Sequence, residues 1–350
     1  MKALCYKGVR DIQYDTVPDP ELRDEREILV KTQKCGICGS DLHIFHGKSP
    51  AALYHGDSGV GYSVGHEAVG EVVEVGRGVR RFKPGDRVVL SGAVGCGDCG
   101  ACVAGNVTRC QNIVRCYGLS HDLAGCQAEA VVVPAADFNA ARIPDGLSLD
   151  QALMLTDNLP TAYFGCRNAE IGPGKVAVVI GLGPIGLMAT ECAVLLGASR
   201  VFAVDLLESR RARATTLGAV ALDPATAIEE IAAATAGAMA DCVVEAVGSD
   251  ATIDLALRAA GLQAVVSVIG VSMSQAFKFP MAQAMGKGLT FRIGGCSVQA
   301  FWPELIPLLL HGRLHPERLI SHEMPLSDGA RAYELFDSRV DGALKMVLNT

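Results

Sequence analysis

The first group of residues that could do chemistry lies in one eight-residue stretch, Gly36-Ile37-Cys38-Gly39-Ser40-Asp41-Leu42-His43. It offers a thiol that can become a soft thiolate ligand, then a hydroxyl, and then an imidazole. The glycines at 36 and 39 are expected to let the backbone turn tightly between these groups. This combination of residue types predicts a metal site with a path for protons beside it.

A second metal-like feature is the tripeptide Gly65-His66-Glu67. Imidazole is the commonest metal ligand, and a carboxylate next to it in sequence can bind the metal or stand behind it. Taken alone, this pair is also typical of a solvated surface, and the octet is also typical of a buried thiol beside an unrelated histidine. The interpretation therefore depends on the rest of the chain.

Four cysteines follow within a short glycine-rich stretch, and they are Cys96, Cys99, Cys102 and Cys110. This spacing predicts a closed tetrahedral zinc site with four thiolate ligands, and an iron–sulfur cluster is the chemical competitor. Because four thiolates leave no ligand position open, the expected role of this site is structural.

A glycine turn with the sequence Gly181-Leu182-Gly183-Pro184-Ile185-Gly186 follows the apolar run 176–180 and opens a helical pattern. A second strand-like run, 200–204, then ends in an acidic residue. Strand, glycine turn, helix, strand and acid in this order form the dinucleotide fingerprint. Gly181 allows the turn, Gly183 lets backbone amides approach a pyrophosphate, and Gly186 lets the helix pack on the strand. Pro184 and Ile185 belong to the same predicted cofactor site.

The acidic residue of this fingerprint is Asp205. It is expected to bind both hydroxyls of the adenosine ribose and to repel a 2′-phosphate, which favours NAD over NADP. Arg210 and Arg211 follow a few residues later and keep a phosphate-binding role open. We include Arg210 among the candidate cofactor residues.

Regular elements must hold these residues in place. Up to about residue 149, short β-branched runs alternate with turns, which predicts a mostly β region of small sheets or a partial barrel. From there to about residue 295, strands alternate with longer helical patterns, which predicts a parallel sheet covered on both faces. A helix near 303–311 and a strand near 343–348 are expected to return to the first region.

The composition is that of a globular enzyme and argues against several classes of protein. Of the 350 residues, 50% are hydrophobic and 20% are charged, and the net charge is -7. With no cluster of lysine and arginine, neither nucleic acid nor an anionic membrane is expected as a partner. No secretory signal and no membrane-spanning run is evident. The thirteen cysteines are therefore expected to be thiols and metal ligands in a reducing cytoplasm.

Together these motifs resemble the zinc-dependent alcohol dehydrogenases of the medium-chain dehydrogenase/reductase superfamily. The resemblance covers the whole chain and rests on the octet, on Gly65-His66-Glu67 with Gly70 and Gly76, on the four cysteines, and on the glycine fingerprint with Asp205. It implies an α/β protein with a GroES-like, mostly β catalytic domain at 1–155 and 297–350. A Rossmann domain with a doubly wound parallel sheet is expected at 156–296, and the active site in the cleft between the two.

The resemblance also implies the ligands of a catalytic zinc. Cys38 and His66 match two of them, and Glu67 matches an acidic neighbour that binds the metal in some relatives and stands behind it in others. The third ligand falls in Leu155-Thr156-Asp157-Asn158-Leu159-Pro160-Thr161, which resembles a bacterial secondary-alcohol branch that uses aspartate. Asp157 is therefore expected to be the third ligand, with Cys166 as the fallback. Two zinc ions per subunit follow, one catalytic and one structural.

The chemistry implied by the resemblance is hydride transfer between an alcohol and NAD, with zinc acting as a Lewis acid on the alcohol. Ser40 is expected to accept the alcohol proton and to pass it through the cofactor ribose to His43. Gly270 and Val271 resemble the backbone that holds the nicotinamide carboxamide. Lys345 resembles a basic residue near the pyrophosphate.

The function expected from the sequence is the oxidation of a small secondary or hydrophobic alcohol, or the reduction of its ketone or aldehyde. A polyol or threonine-type dehydrogenase and an aldehyde dismutase are alternatives, although the long insertion of formaldehyde-dismutating members is not evident. A catalytically silent zinc- or nucleotide-binding protein is the alternative from a different class. A zinc-free quinone reductase is excluded because that branch lacks the ligands.

Bacterial relatives lead us to expect a homo-oligomer, a tetramer rather than a dimer. Phe45 and Tyr54, with the segment 56–65, are candidates to cover the substrate pocket.

Overall fold

The structure, a computed structural model, describes residues 1–48, 62–112, 115–120, 122–274 and 276–350. Two compact units are present, Met1–Pro160 with Ser297–Thr350, and Thr161–Cys296. The functional domain boundaries given above stay a prediction. Within the described ranges, no helix has both the length and the apolar character needed to cross a bilayer.

The N-terminal segment is rich in short strands. Its elements are β1 (Lys2–Gly8), β2 (Asp11–Thr16), β3 (Ile28–Ile37), α1 (Asp41–Phe45), β4 (Tyr62–Ser63), β5 (Ala68–Val75), β6 (Arg87–Leu90), β7 (Ala93–Val94), α2 (Gly100–Val103), β8 (Arg115–Cys116), β9 (Ala130–Val133), α3 (Ala136–Asn139), β10 (Ala140–Arg142), α4 (Leu149–Met154) and α5 (Asn158–Asn168).

The middle of the chain alternates strand and helix. Its elements are β11 (Val176–Ile180), α6 (Pro184–Leu195), β12 (Arg200–Val204), α7 (Glu208–Thr216), β13 (Val220–Leu222), α8 (Ala227–Ala234), β14 (Ala240–Glu245), α9 (Asp250–Ala259), β15 (Ala260–Val268), α10 (Met281–Lys287) and β16 (Thr290–Ile293). The C-terminal segment adds α11 (Trp302–Leu310), β17 (Ile320–Pro325), α12 (Gly329–Ser338) and β18 (Lys345–Asn349).

The first unit is built on small, mostly antiparallel sheets. The largest has the order β10-β6-β5-β3-β18-β17, with β9 also pairing with β3, and a smaller sheet has the order β2-β1-β4. β18 pairs antiparallel with β3, so the C-terminal strand returns to the first region as predicted. Alternate residues such as Ile28, Val30, Met346 and Leu348 point into one apolar core, which buries the inner faces of these sheets.

The second unit contains a six-stranded parallel sheet with the order β13-β12-β11-β14-β15-β16. The strand order reverses between β11 and β14, as in a doubly wound sheet, and ligands of such sheets bind at the carboxyl ends of the strands at this reversal. The run Val176–Ile180 is almost wholly buried, as expected for a strand covered on both faces. The predicted fold class is confirmed.

The glycine turn after β11 is shaped by close packing. Gly181 has a φ of 87°, which a residue with a side chain rarely adopts. A Cβ on Gly186 would collide with the carbonyl oxygen of Gly181. α6 begins with Gly183 as N-cap and Pro184 in its first turn, a position that suits a residue without an N–H.

The space around Gly186 leads to a stability prediction. We expect Gly186→Ala to lower the free energy of unfolding by about 2–4 kcal/mol, because the new methyl group meets backbone rather than a movable side chain. The measurement is urea unfolding followed by circular dichroism.

Gly286 provides the matched control because it also lies inside a helix, α10, and no described atom lies within 4 Å of its Cβ position. Gly286→Ala should raise the free energy of unfolding by about 0.5–1 kcal/mol. Equal effects of the two substitutions would contradict the packing at Gly186.

Candidate functional site

Four side chains singled out as ligands or neighbours come together in the first unit, namely Cys38, His66, Glu67 and Asp157. One ligand atom of each lies within 4.8 Å of those of the others. Cys38 Sγ is 3.4 Å from Asp157 Oδ2, and His66 Nε2 is 3.6 Å from the same oxygen. Ligand atoms at zinc bond lengths in a tetrahedral site are about 3.3–3.6 Å apart. The three side chains therefore fit a zinc ion.

Cys38 is held by the end of β3 and the start of α1. Its N–H donates to Asp41 Oδ2 at 2.9 Å, and the N–H of Gly36 donates to the carbonyl of Glu67 at 3.1 Å. These bonds fix the strand end that carries the thiol against the segment that carries the imidazole.

The reason expected for Gly36 is wrong, because Gly36 is still inside β3. Gly39 does lie in a turn, in which the N–H of Asp41 donates to the carbonyl of Cys38 at 3.1 Å. A Cβ on Gly36 would overlap the carboxylate of Glu67. Gly36 is thus required for space next to Glu67 and not for a turn.

His66 lies between β4 and β5, directly after Gly65, whose φ is 86°. A side chain on Gly65 would collide with that of Gln127. The Nδ1 atom of His66 is 3.1 Å from Asp41 Oδ1, which leaves Nε2 facing Asp157. A carboxylate behind a ligating imidazole fixes its orientation, and the sequence pattern held no signal for this role of Asp41 beyond its place in the octet.

Asp157 lies between α4 and α5, in a segment fixed by two backbone acceptors. The carbonyl of Thr156 accepts from the N–H of Gly92 at 3.0 Å, and the carbonyl of Leu155 accepts from Trp302 Nε1 at 2.9 Å. The fallback ligand Cys166 is not in the cluster. Its Sγ donates to the carbonyl of Ala189 at 3.2 Å in the second unit.

The sequence did not predict the contacts that two residues, Lys345 and Asn158, make behind the cluster. Lys345 Nζ forms a buried ion pair with Glu67 Oε2 and donates to the carbonyl of Ile37 at 3.2 Å. The side-chain amide of Asn158 donates to Glu67 Oε1 at 2.8 Å and to Asp157 Oδ2 at 3.0 Å. A role of Lys345 at the pyrophosphate stays a prediction. The nearness of Asn158 to Asp157 in sequence was the one available signal.

The electrostatics of the pocket favour a bound cation. Burial raises the pKa of the Cys38 thiol and of the Glu67 carboxyl. Burial also opposes the charge of His66 and of Asp157. The charge of Asp41, together with the contact with Asp157, nevertheless raises the pKa of His66 well above its usual range, and the contact with His66 lowers the pKa of Asp157 to about 2. A divalent cation would compensate this excess of acidic groups in a site shielded from water.

Ser40 and His43 belong to α1, where Ser40 is the N-cap and His43 lies within the helix. Ser40 Oγ is 3.3 Å from His66 Nε2, next to the position that a metal would take. His43 is partly buried, and burial together with the charges of Lys48 and His46 lowers its pKa. Tyr54 and residues 56–61 lie outside the described residues.

The four cysteines form a separate cluster with the dimensions of a zinc site. Cys96 Sγ is 3.9 Å from Cys102 Sγ, and Cys99 Sγ is 3.9 Å from Cys110 Sγ. A tetrahedral zinc with Zn–S bonds of about 2.3 Å places its sulfur atoms about 3.8 Å apart. The N–H of Cys96 points at Cys110 Sγ and that of Cys99 at Cys96 Sγ, each at 3.4 Å. Such donors stabilise thiolates, so the cluster fits zinc.

In the second unit, the fingerprint residues lie at the carboxyl ends of parallel strands. Gly181 follows β11, Asp205 follows β12, and Gly270 with Val271 follows β15. No described atom lies within 4 Å of a Cβ placed on Gly183, which leaves room for a pyrophosphate above the N-terminus of α6. A side chain on Gly270 would collide with the backbone of Val247 and Gly248.

Asp205 is oriented by its surroundings. Its Oδ2 accepts from the N–H of Leu182 at 2.7 Å, and its Oδ1 accepts from the N–H of Leu207 at 2.8 Å. Arg210 lies 3.8 Å from Asp205 Oδ2, whereas Arg211 donates to the carbonyl of Asp205 at 2.7 Å and pairs with Asp223 at 3.0 Å.

Comparisons with known proteins agree with this arrangement. The family model for the alcohol dehydrogenase GroES-like domain matches residues 24–145, and that for zinc-binding dehydrogenases matches residues 184–311. A Mycobacterium tuberculosis protein named "Probable zinc-binding alcohol dehydrogenase" is 39% identical over 348 residues, which are 99% of this chain and 88% of that protein.

Two solved structures are similar over the whole chain. An alcohol dehydrogenase from Thermus sp. ATN1 has a TM-score of 0.93 and 37% identity, covering 100% of this chain and 99% of the other. A Sinorhizobium meliloti protein described as a candidate zinc-binding dehydrogenase and bound to NADP has a TM-score of 0.86 and 27% identity, covering 100% and 99%. The chain therefore belongs to the zinc-dependent alcohol dehydrogenases of the medium-chain dehydrogenase/reductase superfamily.

Proposed function

We propose that this protein is an NAD-dependent alcohol dehydrogenase with one catalytic and one structural zinc per subunit, acting on a small secondary or hydrophobic alcohol. The observation that carries the proposal is the convergence of Cys38, His66 and Asp157 in one buried pocket at distances that fit zinc. The hydroxyl of Ser40 lies beside the same pocket. Ligands and a candidate proton acceptor thus occur together.

The residues of the chain have separate tasks in this proposal. Zinc, when held by Cys38, His66 and Asp157, would supply a Lewis acid that lowers the pKa of an alcohol hydroxyl. Ser40 accepts the proton of that hydroxyl. His43 is the base that takes up the proton at the end of the path, and its lowered pKa keeps the imidazole neutral, and so able to accept, at pH 7.

The preference for NAD is supported by the carboxylate of Asp205. Its two oxygens are fixed by backbone N–H groups, so a 2′-phosphate would meet a negative charge that cannot easily move away. Arg211 is already engaged with Asp223. NADP remains the alternative, because the similar Sinorhizobium meliloti protein holds it and Arg210 lies near Asp205.

Several finer points belong to the same proposal. A polyol or threonine-type dehydrogenase and an aldehyde dismutase use the same site with other substrates. A silent zinc- or nucleotide-binding protein is disfavoured because Ser40 and the metal ligands are present together.

We propose a homo-oligomer, a tetramer rather than a dimer, on family resemblance. We also propose a cytoplasmic location, because a reducing compartment suits a chain with thirteen cysteines, four of which cluster as candidate metal ligands.

The experiment that tests the function is the initial rate of NAD reduction by zinc-replete protein with primary, secondary, aromatic and polyol alcohols. We expect turnover with secondary or hydrophobic alcohols. Turnover confined to polyols would select that alternative. No turnover with any alcohol, with zinc confirmed at both sites, would overturn the proposal in favour of a dismutase or a silent binder.

The aspartate ligand gives the second prediction. Asp157→Ala should lower the zinc content from two ions per chain to one and reduce kcat/KM more than about 100-fold, because a ligand is lost from one site only. Zinc is measured by elemental analysis, and the four-cysteine cluster is the internal control.

Asp145→Ala is the matched control, because Asp145 is an exposed aspartate of the same unit. It should retain two zinc ions and full activity. An Asp157→Ala protein that also kept both would show that another residue completes the metal site.

The cofactor gives the third prediction. We expect kcat/KM with NAD to exceed that with NADP by about 100-fold or more, because apposed like charges cost several kcal/mol. Asp205→Ser should lower the ratio of kcat/KM with NAD to kcat/KM with NADP, mainly by raising kcat/KM with NADP. Asp254→Ser is the control, since it removes a half-exposed acid of the same unit that pairs with Arg258 and is not at the fingerprint position. Comparable kcat/KM with both cofactors in the unaltered protein would mean that Arg210 prevails over Asp205.

A further inference from the structure

Asn158 stands among the candidate ligands without being one of them. Its Nδ2 is 2.8 Å from Glu67 Oε1, 3.0 Å from Asp157 Oδ2 and 3.7 Å from Cys38 Sγ. Carboxylates and thiolates accept hydrogen bonds, so only the NH₂ side of the amide suits this position. Asn158 is almost completely buried, and its Oδ1 has no hydrogen-bond partner among the described residues. The described hydrogen bonds of its side chain are therefore all directed at the metal pocket.

The carboxylate of Glu67 sits in a niche that three residues form. Asn158 binds Oε1, Lys345 binds Oε2, and Gly36 leaves the space that a side chain would fill. Both oxygens are thus held, although Glu67 lies close enough to the other ligand atoms to reach a metal.

Moving Glu67 onto the metal would disrupt this niche. Lys345 is fully buried, and besides its ion pair with Glu67 it donates to the carbonyl of Ile37. An ammonium left in that position without its carboxylate would be strongly unfavourable. The ion pair thus opposes the movement, and the amide of Asn158 sets the direction in which the remaining oxygen points.

We propose that Asn158 is a positioning residue that holds the Glu67 carboxylate in its niche and thereby keeps the fourth place at the catalytic metal open for substrate. This inference rests on the proposed function, because it presupposes a metal at Cys38, His66 and Asp157. The same NH₂ group donates to Asp157 Oδ2 and so orients that ligand as well. Groups behind a metal site typically change metal affinity or activity 10- to 100-fold when they are removed.

The test uses the full-length protein with cobalt at the catalytic site and zinc at the four cysteines, with both metals quantified. Imidazole, a neutral ligand, is titrated without alcohol or cofactor, and its binding is followed by the shift of the cobalt visible absorption bands. Asn158→Leu removes the amide and keeps the branched shape of the side chain. We expect its imidazole Kd to be at least about 10-fold higher than that of the unaltered protein. Without the amide, Oε1 of Glu67 can turn toward the open place and compete for it, while Oε2 stays paired with Lys345.

A double variant tests whether the effect passes through Glu67. Glu67→Gln replaces the carboxylate by an amide, a much poorer metal ligand, so Asn158→Leu should have little effect in that background. Such non-additivity indicates that the two side chains act through one another. Asn158→Ala, which keeps a good helix former in the first turn of α5, is the second variant where Asn158→Leu fails to fold.

Two results would overturn the inference. One is an unchanged imidazole Kd in Asn158→Leu or Asn158→Ala. The other is a weakening that persists at full size in the double variant, which would show that Asn158 does not act through Glu67. Both results are measurements of imidazole binding and need no turnover. They can therefore be distinguished from an absence of NAD reduction with the alcohols. Failure of the unaltered protein to take up cobalt beyond the four-cysteine cluster would instead overturn the proposed metal site, and this inference with it.

Discussion

The buried ion pair between Glu67 and Lys345 is the contact on which the rest of the metal pocket depends. Both side chains are shielded from water, and removing one partner of such a pair costs about 3–5 kcal/mol because the other charge is left uncompensated. Lys345 begins β18, which pairs with β3, and β3 leads directly to Cys38. The C-terminal segment is therefore part of the pocket, because it supplies the charge that lets an acidic residue be buried behind the ligands.

This requirement explains several neighbouring residues. Gly36 has no side chain because the carboxylate of Glu67 occupies that space. Gln127 donates to the carbonyl of Gly36 at 2.9 Å and accepts from the hydroxyl of Tyr333 at 2.9 Å, which ties the same strand to α12. A buried polar network stabilises a unique arrangement only when its members are satisfied. Gln127 and Tyr333 meet that condition through each other and through the backbone.

The parts that local patterns predicted are those with short-range signals, whereas the grouping of Cys38, His66 and Asp157 was expected from the family resemblance. The four cysteines, the glycine turn and the octet each lie within a few residues, and their spacing reflects the local geometry directly. The parallel sheet followed from the alternation of strand and helix. By contrast, Glu67 and Lys345 are 278 positions apart, and nothing in a local pattern distinguishes a buried lysine from a solvated one. The wrong reason for Gly36 has the same origin, because the atoms that exclude its side chain come from another segment.

In the proposed function, the charges of the pocket give a reason for holding Glu67 away from the metal. A divalent cation bound by the thiolate of Cys38, the carboxylate of Asp157 and the neutral imidazole of His66 is formally neutral. A third anionic ligand would make the site negative and weaken its ability to lower the pKa of an alcohol. Lys345 neutralises Glu67, and Asn158 directs its carboxylate. The pocket can therefore contain this acid without weakening the ability of the metal to lower the pKa of an alcohol. The ion pair that compensates the buried charge of Glu67 would thus also help to keep the proposed metal a strong Lewis acid.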